Sequence, residues 1–173
     1  MIYSKIYSKE IMKHFTHPQN VGKMKNYDGL GRAGNLTCGD IMYLYIKVGK
    51  NKNRRKIIKD ISFETFGCTV AIANTSLLTT IAKGKTLEEA LRITKEDLVK
   101  EFGQVPLVKI HCSLLAVDAL GEAIYDYLSR NEQPISKELR ERHQRVERDN
   151  KIIKRRHREL VKIEEKLHHN KNK

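Results

Sequence analysis

The chain of 173 residues contains little cysteine and no long apolar run, and each shortage excludes a class of protein. No segment approaches the roughly 20 consecutive apolar residues that a membrane-spanning helix needs, so an integral membrane protein is excluded. The first ten residues, MIYSKIYSKE, carry charges throughout and contain no apolar segment followed by a cleavage site. They therefore do not read as a secretory signal, and we expect a cytoplasmic protein without a membrane partner.

Cysteine is present only at positions 38, 68 and 112. An odd number of cysteines in a chain without an export signal argues against a disulfide framework. The thiols are therefore expected to be reduced. They serve as buried small side chains, as reactive groups or as metal ligands.

The formal net charge of +13 is concentrated at the C-terminal end. Residues 136–173 contain 14 lysines and arginines against 7 acidic residues, whereas residues 1–135 contain 20 against 14. Such an excess is compatible with nucleic acid, a membrane surface or an acidic protein as partner. The tail is therefore the basic part of the chain, and the body is only mildly basic.

Hydrophobic patterning predicts an α+β protein. Helices are expected over 5–16, 68–84, 86–93, 94–102 and 109–128, and strands over 29–36, 41–48 and 57–66. We expect a three-stranded antiparallel sheet with helices packed on one face, in a domain over residues 1–130. Gly121 lies on the apolar stripe of the longest of these helices, which indicates close packing of another element. The apolar side of the helix within 68–84 is expected at Val70, Ala73, Leu77 and Ile81.

Residues 131–173 are predicted to form a basic helical extension. Five apolar residues recur there every seven positions, namely Leu139, Val146, Ile153, Leu160 and Leu167. An ordinary coiled coil needs two such stripes, so we favour a helix that lays one thin stripe on its own domain. Self-association or docking on a partner is the second interpretation. Nucleic-acid binding is the least favoured, because the charges are mixed in sign and the tail has no aromatic residue on which bases could stack.

All three cysteines lie at junctions between predicted elements. Cys38 lies in a glycine-containing turn before a strand, Cys68 follows Gly67 where a strand gives way to a helix, and Cys112 lies in the first turn of the longest body helix. Unpaired amides and the positive end of a helix dipole lower the pKa of a nearby thiol. We therefore expect thiolate character at Cys68 and Cys112.

Two of the cysteines have neighbours that are ligand types. The candidate ligands are Cys38, Asp40, Cys68, His111 and Cys112, a set that suits zinc or an iron–sulfur cluster. Ordinary clusters use four cysteines, so Asp40 or His111 must complete the set, and the residues leave that choice open. A carboxylate oxygen is a poor match for a soft cluster, so its bond should be labile. Each motif taken alone also fits a buried thiol or a simple turn.

At these residues the chain resembles the U-type iron–sulfur cluster scaffolds, the family of IscU and of the N-terminal domain of NifU. The motifs that carry the resemblance are Cys-Gly-Asp at 38–40, Phe-Gly-Cys at 66–68 and His-Cys-Ser at 111–113. Longer matching segments include YSKEIMKHFTHPQNVG at 7–22 and GRAGNLTCGDIMYLYIKV at 31–48. The resemblance covers residues 7–128 in unbroken order.

The resemblance implies a scaffold and carrier protein, not an enzyme. It implies that sulfur from a cysteine desulfurase and iron are assembled into a [2Fe–2S] cluster, which then passes to apo iron–sulfur acceptor proteins. The implied cluster ligands are Cys38, Cys68 and Cys112, with Asp40 or His111 as the exchangeable fourth. It further implies that Cys112 accepts the persulfide and that zinc can substitute at the same site.

The resemblance also bears on partners. Tyr7 matches a family tyrosine implicated in self-association, so a homodimer is one expectation. Residues 105–109 read Val-Pro-Leu-Val-Lys where many family members have two successive prolines in a motif bound by an Hsp70-type chaperone, so we do not predict chaperone dependence. Two alternatives stay open: a SufE-like sulfur acceptor that works through one cysteine, and a zinc-binding interaction module.

Overall fold

The structure, a computed structural model, describes residues 7–103, 105 and 110–169, with side chains at all of these except 110, 111 and 160–169. The elements follow in the order α1 (Lys9–Thr16), β1 (Gly29–Gly34), β2 (Ile41–Lys50), β3 (Lys56–Phe66), α2 (Thr69–Ala82), α3 (Leu87–Leu91), α4 (Lys95–Phe102), α5 (Ile110–Arg130) and α6 (Lys137–His169). Within this part of the chain, no helix has both the length and the apolar character needed to cross a membrane.

The three strands form one antiparallel sheet in the order β1-β2-β3, which confirms the predicted fold class. The turn between β2 and β3 is closed by Asn51, whose side-chain oxygen accepts hydrogen bonds from the amides of Asn53 and Arg55 at 3.0 Å each. Asparagine is common in turns because its side chain can bond to the backbone a few residues ahead. Local sequence therefore explains why the chain reverses direction between β2 and β3.

Helix α5 covers the inner face of the sheet and approaches β1 closely. A Cβ atom on Gly31 would overlap the backbone carbonyl oxygen of Ala119, and one on Gly29 would overlap that of Ala123. Only glycine leaves room for a helix backbone at this distance from a strand. The glycines of the predicted first strand are therefore the positions at which α5 packs against the sheet.

The two short helices predicted over 86–93 and 94–102 both begin after a threonine. Thr86 and Thr94 are the N-caps of α3 and α4, and each forms a reciprocal capping box with the third helical residue, Glu89 or Asp97. Such a box satisfies two backbone amides that would otherwise lack partners.

The apolar side predicted for α2 is only partly correct. Val70 and Ala73 are buried, but Leu77 and Ile81 are half-buried, and Leu78 is buried in their place. Helix α2 lies between α1, α5 and β3, so it is enclosed on several sides. Its polar residues are enclosed too and bond back to the helix. Asn74, Thr75 and Thr79 donate to the carbonyls of Val70, Ala71 and Ser76 at 2.7–2.9 Å.

Helix α6 packs on α5 and on the free edge of β1. Leu139, Val146 and Ile153 are buried, which confirms, over the described part of the stripe, that the helix lies on its own domain. The side chains of Leu160 and Leu167 lie outside the described residues. A division of the chain at residue 130 stays a prediction, since α6 is joined to the body by these contacts.

Charged groups strengthen the contact between α5 and α6. The buried carboxylate of Asp118 accepts two hydrogen bonds from Arg145, at 2.7 and 2.9 Å, and one from Arg142 Nε at 3.0 Å. The guanidinium of Arg142 lies against Gly121, where a Cβ atom would be 2.9 Å from its Cζ and Nε. The close approach predicted at Gly121 is confirmed, and the element that approaches is α6.

Candidate metal centre

The loop between β1 and β2 presents the first two candidate ligands, Cys38 and Asp40. Asn35 organises this loop: its amide donates to the Asp40 carbonyl at 2.9 Å, and its own carbonyl accepts from the Gly39 amide at 2.8 Å. The Asn35 side chain also accepts from the Thr37 amide at 2.8 Å. Gly39 has a φ of 76°, a left-handed conformation that glycine adopts without steric cost. Residues 35–40 are thus joined by hydrogen bonds into one closed unit.

Cys68 lies at the N-cap of α2, directly beyond the end of β3. Its backbone amide donates to Asp40 Oδ2 at 3.2 Å, which ties the β1–β2 loop to the start of α2. The preceding Gly67 permits this approach, since a Cβ atom there would lie 3.2 Å from Asp40 Cγ and 3.1 Å from Thr65 Oγ1. The glycine of the Phe-Gly-Cys motif therefore has a steric explanation.

Cys112 enters from the first turn of α5 and is completely buried. It forms an apolar cluster with Val70 and Ala71 of α2, against which Tyr7 and Val105 also pack. The Cys112 Sγ lies 3.5 Å from the Cys68 Sγ. Cys68 is half-buried and Cys38 is exposed, so the three thiols span the full range from solvent to core.

Three of the candidate ligands lie close to one another. The Sγ atoms of Cys38 and Cys112 and a carboxylate oxygen of Asp40 all lie within 4.8 Å of one another. Two sulfurs on one tetrahedral zinc ion lie about 3.8 Å apart, given zinc–sulfur bonds of about 2.3 Å. The separation of the Cys68 and Cys112 sulfurs is close to this value. Cys38, Asp40 and Cys112 are therefore a candidate metal site with two sulfurs and one oxygen, and the Cys68 sulfur lies beside the Cys112 sulfur.

The structure distinguishes the thiols electrostatically. The pKa of Cys68 is lowered to about 6, chiefly because the Cys112 thiol donates a hydrogen bond to it, with further help from the amides of Ala71 and Val70 against the effect of burial. The pKa of Cys112 is raised, because it is the donor in this hydrogen bond and because it is buried. Burial also raises the pKa of Cys38.

These directions correct one expectation. The directions support thiolate character at Cys68 and oppose it at Cys112 in the resting site. Two adjacent thiols can share only one negative charge at low cost, and the first-turn amides of α2 place it on Cys68. The competition of the two thiols for one negative charge could not be predicted from either helix N-terminus considered alone.

The structure thus brings together four of the five candidate ligands. The backbone of His111 belongs to α5, but its side chain lies outside the part that the structure describes, so its role as an alternate ligand stays a prediction. Sequence reasoning missed Asn35. An asparagine next to a glycine before the Cys-Gly-Asp motif is the signal that could have indicated its role in the turn.

A three-stranded antiparallel sheet with a candidate metal site of cysteine thiols and a buried carboxylate defines the class: an α+β protein whose ligand-type residues are sulfur and oxygen donors. The sequence profile of the family described as "NifU-like N terminal domain" matches residues 6–134. The chain therefore belongs to the NifU-like N-terminal domain family.

Curated relatives agree with this assignment. The chain is 50% identical over 126 residues to the iron-sulfur cluster assembly scaffold protein IscU 1 of Archaeoglobus fulgidus, which covers 73% of this chain and 79% of the relative. It is 46% identical over 129 residues to IscU, the scaffold protein of the same description in Escherichia coli K12, covering 73% and 97%.

Solved structures agree on the fold. One is described as a putative iron-sulfur cluster assembly scaffold protein for the SUF system from Fervidobacterium islandicum AW-1. It matches with a TM-score of 0.54 and 25% identity over 70% of this chain and 98% of that chain. The N-terminal part of a NifU-like protein from Brucella abortus matches with a TM-score of 0.57, covering 75% and 99%, and at 16% identity it supports the fold alone.

Proposed function

We propose that this chain is an iron–sulfur cluster assembly scaffold. The observation that carries the proposal is the convergence of Cys38, Asp40 and Cys112 within 4.8 Å, with Cys68 beside them. The residues come from three separate junctions of the fold, since Cys38 and Asp40 share the β1–β2 loop, so folding itself creates the site. The descriptions of the curated relatives as scaffold proteins support the same function.

The proposed cargo is a [2Fe–2S] cluster held by the three cysteines and Asp40. Thiolates are the usual protein ligands of such clusters, whereas a carboxylate oxygen is a harder and weaker partner for them. Asp40 is nine-tenths buried and accepts a hydrogen bond from the Cys68 amide, so its carboxylate is already positioned beside the cysteines. Its bond to the cluster is weak enough to break when the cluster is released. One weak bond of four is what a carrier needs in order to release its cargo to apo acceptor proteins. Zinc fits the same donor set and would compete for it.

Sulfur is proposed to come from a cysteine desulfurase. A scaffold thiolate attacks the outer sulfur of the donor persulfide, the donor sulfur–sulfur bond breaks, and the donor cysteine leaves as a thiolate. Conversion of the transferred sulfur to cluster sulfide takes two electrons, which a dithiol or a one-electron carrier protein supplies. The chain itself acts as acceptor and carrier, so we assign it no enzymatic turnover.

Cys112 is retained as the proposed persulfide acceptor. Its proton can pass to Cys68 across the 3.5 Å hydrogen bond, which leaves the thiolate on Cys112 when a donor arrives. Cys112 has no exposed surface, and Tyr7 and Val105 pack against its cluster, so delivery requires these side chains to move aside. Self-association through Tyr7 stays a prediction. Three free thiols are the form that a reducing compartment maintains, so we place the scaffold in the cytoplasm.

Anaerobic reconstitution tests the proposal. The chain is incubated with ferrous iron, cysteine and a cysteine desulfurase, and iron, acid-labile sulfide and the visible spectrum are measured. We expect two irons and two sulfides per cluster and a brown colour, all lost in Cys112→Ala. A full complement with an unchanged spectrum in Cys112→Ala would contradict the ligand assignment. Persulfide without any cluster would favour a sulfur acceptor, and zinc that no cluster can replace would favour a zinc-binding module.

A further inference from the structure

Helix α6 contacts the segment that leads into the cysteine-bearing loop at three successive points. Asn150 Nδ2 donates to the Arg32 carbonyl at 2.9 Å, and Arg156 Nη1 donates to the Leu36 carbonyl at 2.9 Å. Between them the Ile153 side chain lies so close to Gly34 that a Cβ atom on the glycine would overlap its Cδ1. Residues 150, 153 and 156 share one face of a helix, so all three contacts come from the same side of α6.

Contacts in the N-terminal half of α6 fix the position of this face relative to the sheet. Asp118 on α5 binds both Arg142 and Arg145, and Glu122 Oε2 accepts a hydrogen bond from His143 Nδ1 at 2.8 Å. These contacts lie about three to four turns before residue 156 on a continuous helix. The position of Arg156 relative to the sheet is therefore set by buried groups, although Arg156 itself is exposed.

The loop transmits this contact to the candidate ligands. Leu36 lies between Asn35, which binds the backbone of Gly39 and Asp40, and Thr37, whose amide bonds to the Asn35 side chain. Cys38 lies inside this closed unit of six residues. A shift of the Leu36 carbonyl therefore moves Cys38 and Asp40 relative to Cys112, which is held by α5.

We propose that Arg156, assisted by Asn150, is a positioning residue for the β1–β2 loop and slows the release of metal or cluster from the site. The inference rests on the proposed function, and it concerns a part of the chain beyond residue 134, where the match to the family profile ends. By clamping Leu36, α6 keeps Cys38 and Asp40 within bonding distance of the metal that Cys68 and Cys112 hold. The C-terminal extension thus lengthens the time for which the metal or cluster stays bound.

The test measures how fast the full-length chain loses its metal. Zinc-loaded and cluster-loaded proteins are mixed with a chelator, and zinc release and the decay of visible absorption are followed. The variants are Arg156→Ala, Asn150→Ala and Arg156→Lys, which keeps a charge and a donor. Arg155→Ala is the matched control, because Arg155 is an exposed neighbour of equal charge with no hydrogen bond or ion pair among the described residues.

We expect Arg156→Ala and Asn150→Ala each to accelerate metal loss about two- to tenfold, the range that the net contribution of one hydrogen bond corresponds to. Arg156→Lys should return the rate toward that of the parent, and Arg155→Ala should not change it. The visible circular dichroism of the bound cluster should change in Arg156→Ala and stay unchanged in Arg155→Ala. A role in stability alone would shift the unfolding temperature and leave this spectrum as it is.

Equal rates in Arg156→Ala and Arg155→Ala would overturn the inference, whether both are unchanged or both are accelerated by loss of charge. If the parent protein forms no cluster, the proposed function fails, and zinc release still decides whether Arg156 positions the loop.

Discussion

The Sγ atoms of Cys68 and Cys112 lie 3.5 Å apart, although 44 residues separate them along the chain. One belongs to the start of α2 and the other to the first turn of α5, so the packing of two helix N-termini creates the pair. Since the two thiols share a hydrogen bond, the negative charge of the site is concentrated on one sulfur. This asymmetry has a direct chemical consequence.

In metal-free protein, iodoacetamide should alkylate Cys68 in preference to Cys112. The pKa of Cys68 is lowered to about 6, so its thiolate is present above that pH and its reactivity falls as the pH drops through 6. The pKa of Cys112 is raised and its side chain is buried. Peptide mass spectrometry after labelling from pH 5 to 9 gives the rate for each cysteine.

Removal of the donor is the matched control for this prediction. Cys112→Ala deletes the hydrogen bond to Cys68, so the midpoint of Cys68 labelling should move toward the ordinary thiol range. Labelling of Cys112 before Cys68, or an unchanged midpoint in Cys112→Ala, would show that the hydrogen bond does not control the charge.

Replacement of Asp40 by alanine should slow transfer of the assembled cluster to an apo acceptor. The carboxylate is the weak ligand of the proposed set, so a thiolate of the acceptor displaces it first. Without Asp40, exchange with the acceptor has to begin at a cysteine–iron bond, which breaks more slowly than a carboxylate–iron bond. We expect a decrease of about tenfold in the transfer rate, equivalent to about 1.4 kcal/mol in the barrier. Stopped-flow absorption or circular dichroism of the acceptor provides the measurement.

Two further variants sharpen the Asp40 prediction. Asp40→Asn keeps an oxygen that can accept from the Cys68 amide but removes the charge, so it separates the ligand role from the structural one. Asp60→Ala removes a half-exposed carboxylate from β3 that pairs with Lys83, and transfer should stay as in the parent. Transfer from Asp40→Ala that is as fast as from the parent would argue against a labile ligand.

Gly31→Ala should destabilise the fold strongly. The added methyl group would overlap the backbone of Ala119 on α5, which cannot move without separating the helix from the sheet. Overpacking typically costs about 1–3 kcal/mol in the free energy of unfolding, and overlap with a helix backbone should place this variant at or above the upper end of that range. Gly49→Ala is the control, because its Cβ atom would lie 3.1 Å from the Cβ atom of Lys59, a much milder contact than overlap with a helix backbone, and its effect should be about 1 kcal/mol.

Urea unfolding of the two variants decides this point. If Gly31→Ala were as stable as Gly49→Ala, the contact between α5 and β1 would not be as close as the structure places it.

Asp118→Ala should detach the first half of α6 from α5. The change leaves the guanidinium groups of Arg142 and Arg145 without their common carboxylate, and Arg142 is only 19% exposed. Removal of one partner from a buried ion pair costs about 3–5 kcal/mol because the remaining charge is left without compensation. Denaturant unfolding and protease sensitivity of α6 provide the measurements.

The control for α6 is Glu147→Ala, which removes an exposed pair with Lys151 on the same helix. Such pairs contribute about 0.3–0.5 kcal/mol, so its stability should be nearly that of the parent. A loss below about 1 kcal/mol in Asp118→Ala would mean that the apolar stripe alone holds α6 in place.

Much of the fold could be predicted because its signals are local. Thr86 and Thr94 start helices through bonds to residues three positions ahead, and the β-branched and aromatic content of β2 indicates a strand directly. The side of α2 that is buried could be predicted only in part. It depends on α1, α5 and β3 enclosing the helix together, and residues such as Asn74 and Thr75 are buried by that enclosure.

The sequence by itself determined which residues can serve as ligands and where each lies relative to a turn or helix start, since both depend on residue type and short-range bonds. Only the tertiary structure decided that Cys68 carries the charge and that Cys112 is buried. It alone also decided that Arg156 reaches the Leu36 carbonyl, 120 residues away. A pKa and a long-range hydrogen bond depend on which groups packing brings within a few ångströms, and no local pattern contains that information.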